Sequence, residues 1–213
     1  VGRSSGPPHL VGALVRQARY GGTVSVEAAV RKIPRCPQLL DHDRWAEHGF
    51  DSREDSELWS DRACGVACIA MVLEYADGTP RAIVNLLHEG RRRGAYSSNG
   101  WVHTGLAELL RAHGTPAEAR AVTSLGELAR LVQSYGPVIA SVTLHFPEDG
   151  RRGGHLVLVT GAEWHCREVT KIFFNDPSRW GAHHGHVSAA RFAASFTGRI
   201  VSTEVRRPVG EVE

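Results

Sequence analysis

The charge-dense stretch before residue 63 gives way abruptly to Cys64-Gly65-Val66-Ala67-Cys68-Ile69-Ala70-Met71-Val72-Leu73. Ala67, Ala70, Met71 and Glu74 stand at i, i+3, i+4 and i+7, the spacing of one helical face. Most of the other faces are apolar too, which predicts a buried central helix starting at Cys64 and running to about Tyr75. Asp77-Gly78 stops it. Thr79-Pro80 reads as a cap followed by a proline at the first helical position, opening a second helix whose stripe is Ile83, Val84, Leu86 and Leu87. After the loop 94–100, Thr104 opens a third helix, closed by His113-Gly114. Ser124-x-x-Glu127 is a capping box for a fourth, ending near Tyr135-Gly136.

Past Pro137 the pattern changes to β-branched and apolar runs. Strands are predicted at 138–144, 155–161, 169–174 and 200–205, with a short helix at 188–195. Residues 34–57, with Pro34 and Pro37, read as irregular apart from a turn near Trp45. Residues 23–30 suit a strand, although Glu27-Ala28-Ala29 could equally start a helix. Helices first and an antiparallel sheet second is an α+β order, unlike the alternation of a doubly wound fold. The division expected is an N-terminal extension over 1–40, partly mobile, one catalytic-size domain over 41–206, and a tail over 207–213.

Composition adds bounds. A chain of 213 residues, 42% hydrophobic, is long enough for one substantial core. The formal charge of +2 argues against a nucleic-acid partner. No apolar run approaches the roughly 20 residues needed to span a bilayer, and the first residues lack the pattern of a secretory signal. With only four cysteines, no disulfide scaffold is indicated. A reducing compartment, the cytoplasm, is the expected location.

The chemistry centres on Cys64. A cysteine at a helix start sits beside backbone N–H groups and the positive end of the macrodipole, which favours the nucleophilic thiolate. Gly65 beside it allows close approach of backbone and substrate. His155, after Gly153-Gly154 at the mouth of an apolar strand, is the candidate base. Asp176, in Asn175-Asp176-Pro177, is the candidate group to orient that base, with Asn175 the weaker rival. Cys68, one turn into the helix, is a core residue by position. Cys166 and His165 read as exposed loop residues, and His183-His184-Gly185-His186 as a surface loop. A zinc site built on Cys64, Cys68 and these histidines lacks the usual second short-spaced pair. No metal and no cofactor are expected.

The run Cys64 to Leu73, Gly154-His155-Leu156-Val157-Leu158-Val159 and Asn175-Asp176-Pro177 together resemble the C39-like cysteine peptidase family, a branch of the papain-like superfamily. The likeness spans roughly residues 45–196. It implies a papain-like fold, a Cys64–His155–Asp176 catalytic triad, and cleavage of peptides, in relatives often after a Gly-Gly leader motif. With no transporter segment in view, it implies a stand-alone member. One position departs: relatives place a glutamine six residues before the cysteine, where its amide completes the oxyanion hole, and here that residue is Leu58. The departure keeps a second class open, a biosynthetic acyltransferase that forms amides from a thioester held on a carrier protein. A third is a peptide-binding module without turnover, against which the retention of all three residues argues.

Overall fold

The computed structural model describes residues 26–205. In chain order it holds β1 (Val26–Val30), α1 (Arg53–Arg62), α2 (Cys64–Asp77), α3 (Ile83–Arg92), β2 (Tyr96–Ser97), β3 (Gly100–Trp101), α4 (His103–Ala112), β4 (Ala117–Ala121), α5 (Leu125–Ser134), β5 (Val138–Val142), β6 (His155–His165), β7 (Glu168–Asn175), β8 (His186–Ser188), α6 (Ala189–Ser195) and β9 (Arg199–Thr203). Short 3₁₀ turns lie at His42–Arg44 and Trp180–Ala182.

The α+β class is the one predicted, and each strand pairing is antiparallel. Seven strands form one sheet in the order β4-β9-β5-β6-β7-β8, with β1 added beside the far half of β6. Its inward positions alternate between two cores. Ile139, Leu156, Leu158 and Val201 join the core of α2, α3 and α4. Their neighbours Val138, Val157, Val159 and Ile200 join the core of α5 and α6. A sheet covered on both faces needs apolar residues at successive positions, which explains the unbroken Leu156–Val159 run.

Several elements differ from the sequence reading. The extension expected over 1–40 is tied to the domain from β1 onward: β1 pairs with β6, Ile33 is buried, and the Arg31 guanidinium bonds the Val132 and Gln133 carbonyls. Residues 1–25, and the tail 207–213, lie outside the described residues. The stretch read as irregular ends in the first half of α1, capped by Ser52, whose hydroxyl accepts from the Asp55 N–H at 3.1 Å. Only Ser56, Trp59 and Ser60 of α1 are buried, too few to leave a periodic signal. α3 starts at Ile83 rather than Pro80: residues 79–82 are irregular, Ala82 is extended, and the Asp77 carboxylate accepts from the Thr79 N–H. β6 runs to His165, turning at Cys166 and Arg167, both in the left-handed region.

Candidate active site

Only Ala63 separates α1 from α2, so Cys64 opens α2 directly against the carboxyl end of another helix. The exposed carbonyls of that end are taken by side chains from elsewhere. The Gln38 amide donates to Ser60 O at 3.0 Å and Asp61 O at 3.1 Å, and the Trp101 indole N–H donates to Arg62 O at 2.6 Å. The negative end of α1 and the positive end of α2 therefore meet at the cysteine and partly offset each other. The ring of His155, which interacts with the Cys64 side chain, can supply a positive charge there.

The sheet brings that ring in. Val142 pairs with His155 at the start of β6, and Asn175, at the end of β7, pairs with Leu158. The chain leaving β7 thus passes beside the start of β6. Gly153 and Gly154 carry it there with φ of 86° and 88°, a region other residues rarely adopt. His155 Nε2 lies 2.9 Å from Asp176 Oδ1. The same ring interacts with the Cys64 side chain. Since Nε2 is engaged by the carboxylate, Nδ1 is the nitrogen left for sulfur.

Burial is near complete: Cys64 and His155 are each 7% exposed and Asp176 0%. Burial by itself disfavours the charged ring. The hydrogen bonds to Asp176 and Cys64, and the charges of both, outweigh it and raise His155 to about 9. Burial likewise pushes Asp176 upward, but the His155 contact and the Ser178 N–H, 2.7 Å from Oδ1, hold it below the ordinary carboxylate value. Arg35 clamps the loop from the other side by donating to Asp176 O at 2.7 Å and to Ser178 O. Gly181 must be glycine, because a Cβ there would stand 2.1 Å from Asp176 O.

The three predicted residues are therefore gathered at one place. Asn175, the rival orienter, instead donates to Ile33 O at 2.9 Å and anchors the N-terminal arm. Cys68 is buried within α2, with its thiol raised well above the ordinary range by burial first and by nearby negative groups second. His183, His184 and His186 are exposed, His184 stacking on Trp180 at 3.9 Å. Cys166 is exposed, as expected.

Two expectations change. The space over Gly65 is filled by the protein itself: a Cβ there would come within 2.6 Å of the Trp101 ring. Trp101 packs edge-on against Tyr96, with centroids 5.0 Å apart, so the two aromatics wall the cleft beside Cys64. A side-chain amide does reach this junction, from outside the expected register, but it bonds the α1 carbonyls and does not line the cleft. Leu58 is 44% exposed, whereas Gln38 is buried at the α1–α2 junction, its own N–H donating to Pro177 O at 2.9 Å. The arm thus carries a side-chain amide to the junction that opens α2. No local pattern marks Gln38, because its partners lie 22 and 139 residues away in sequence.

A cleft of about 640 Å³ holds Cys64 and His155 in its lining, together with Tyr96, Trp101, Ser141 and Arg199. Comparison with solved structures finds the same architecture in a double glycine motif protease from an AMS/PCAT transporter, crystallised with its leader peptide. That protein is 19% identical, over 83% of this chain and 94% of the other, at a TM-score of 0.50. The fold is that of papain-like C39 peptidase domains. A C39-like peptidase from Bacillus anthracis superposes at a TM-score of 0.52, again 19% identical, over 69% of this chain and 90% of that one. No family model and no curated protein matches the sequence. Among the described residues no helix is long and apolar enough to cross a membrane.

Proposed function

We propose that the chain is a cysteine peptidase in which Cys64 is the nucleophile, His155 the general base and acid, and Asp176 the orienter. The observation that carries the reading is one buried imidazole held at 2.9 Å by Asp176 while it also contacts Cys64. Hydrogen bonding of Asp176 to Nε2 fixes the ring's orientation and stabilises its protonated form. The Cys64 thiolate attacks the peptide carbonyl carbon, forming the C–S bond as the carbonyl π electrons move to oxygen. Collapse of that adduct breaks the C–N bond, and His155 gives its proton to the leaving amine. Water, deprotonated by His155, then attacks the thioester. The C–S bond breaks, and a carboxylic acid is released.

The oxyanion takes the backbone N–H of Cys64 as one donor. Gln38 is the candidate for the second, by turning one amide N–H from the α1 carbonyls toward the cleft. With an amide at this junction, the reason for preferring a thioester substrate, Leu58 in the glutamine's register, loses its force. Peptide hydrolysis is therefore put ahead of carrier-bound acyl transfer and of binding without turnover. Mass spectrometry of the protein incubated with a peptide mixture tests this. A transient acyl adduct on Cys64, and products gaining one water, are expected. Products joined to an added amine in preference to water would assign the acyltransferase instead.

A further inference from the structure

Some arginines among the described residues are paired with carboxylates, and others, inside and outside the cleft, are not. Arg44, Arg53, Arg81, Arg93, Arg120 and Arg151 each meet a carboxylate within 3.2 Å. Arg62, Arg152 and Arg199, the three that line the cleft of Cys64, meet none among the described residues. Among the described residues, the only acidic side chain lining that cleft is Asp61.

Arg152 and Arg199, both solvent-exposed, line the same cleft. Arg152 lies three residues before His155 and donates one guanidinium N–H to Phe196 O at 3.3 Å. The Arg199 backbone N–H donates to Thr197 Oγ1 at 3.1 Å, and that hydroxyl donates in turn to Ser141 O at 3.2 Å. The chain 196–199 thus contacts Arg152 and carries Arg199, and both arginines line the cleft together with Gly153, Gly154 and His155. A guanidinium has five donors, and one carbonyl uses only one of those on Arg152. His103, at the start of α4, adds a buried Nε2 with no partner among the described residues. Burial, and then the charge of Arg199, lower the affinity of His103 for a proton, whereas the arginines are charged throughout.

Unpaired like charges in a partly enclosed cleft repel each other, a cost that a bound anion relieves. The planar fork of arginine matches a carboxylate in particular. We infer that Arg152 and Arg199 form a carboxylate-binding subsite, and that the peptide cleaved at Cys64 carries an acidic side chain or a free C-terminal carboxylate near the scissile bond. This rests on the peptidase reading for its substrate, but the charge of the cleft can be tested without turnover.

The first measurement uses iodoacetate and iodoacetamide, two alkylating probes that differ in charge. Their rate ratio at Cys64 is compared with the ratio at exposed Cys166, which reports the intrinsic chemistry. The doubly substituted Arg152→Gln/Arg199→Gln protein, which retains polar side chains, is expected to lower the iodoacetate-to-iodoacetamide ratio at Cys64 about tenfold, the weight of one charge-assisted hydrogen bond, and to leave Cys166 unmoved. Because a ratio is read on one sample, a change in the folded fraction cancels. An unmoved ratio at Cys64 overturns the subsite.

The second measurement follows cleavage of paired peptides, one with Glu and one with Gln at each position around the scissile bond, with free and amidated C-termini. The acidic member of one pair is expected to be preferred about tenfold in kcat/KM, chiefly through KM, with the preference lost in the double variant. A preference surviving amidation assigns the side chain, and one lost on amidation assigns the C-terminus. Equal cleavage of every pair overturns the inference while leaving the peptidase reading intact. A shifted alkylation ratio with no peptide cleaved overturns the peptidase reading and sustains the subsite.

Discussion

The two faces of the central sheet are built from the same strands, and they do different work. The face under α5 and α6 is closed by aromatic and aliphatic packing. Phe146, Phe174 and Phe192 are fully buried there, with Phe146 4.7 Å from Phe174 and 5.5 Å from Phe192 between ring centroids. The face under α2 is apolar in its interior but ends in the cleft, where a thiol, an imidazole and a carboxylate meet and the N-terminal arm holds the backbone of the carboxylate's loop. Packing on one face holds β6 and β7 rigid, so that polar groups on the other can be set to within hydrogen-bond distance.

The contrast can be broken most severely at the sulfur. Cys64→Ala should abolish turnover with little change in thermal midpoint, since the residue lies at the cleft edge of its core; a large drop in that midpoint would make Cys64 structural. Gln38→Ala should lower kcat about 10²–10³-fold, the usual weight of one oxyanion donor, while iodoacetamide still modifies Cys64 readily. Equal losses in turnover and alkylation would assign Gln38 only to bracing α1. On the opposite face, Phe174→Ala should cost about 3–5 kcal/mol in denaturant unfolding and leave kcat per folded molecule near the parent value.

Acidity gives a finer test. His155 is raised to about 9, so its proton stabilises the folded protein fully below its ordinary value of 6.5, and that contribution is lost as pH rises through about 9. Asp176 runs the other way: its contribution is present above the ordinary 3.8 and is lost as pH falls through its lowered folded value. Turnover should therefore decline above about pH 9, and His155→Ala should remove the alkaline decline in stability. An unchanged stability profile in that variant would uncouple the ring from the triad. The smallest effect separates the two cysteines of α2: peptide mapping after brief alkylation should find Cys64 modified and Cys68 intact, because Cys68 is inaccessible and held as the thiol.

Much of this arrangement was legible along the chain. The helix from Cys64 to the Gly78 stop, the Ser124 cap and the two strands ending at the site all depend on neighbours within a few residues, so a period of 3.6 or 2 reveals them. Cys64, His155 and Asp176 stood out for the same reason: each sits where a helix or strand begins or ends. α1 was missed because its inward face is short and partly serine. β1 falls within the 23–30 run that suits a strand, but its choice over a helix, and the docking of the arm, come from pairing to β6 rather than from its own pattern.

Sequence by itself determined the α+β class, the central helix and three residues suited to thiol chemistry. Only the tertiary structure decided that Asp176 rather than Asn175 meets the ring, that Trp101 rather than substrate occupies the space over Gly65, and that Gln38 stands at the α1–α2 junction. It alone decided that Arg152 and Arg199 share a cleft with Cys64. The physical reason is range. Local order comes from backbone hydrogen bonding and side-chain period over a few residues, whereas these contacts join segments that only the register of the sheet brings together.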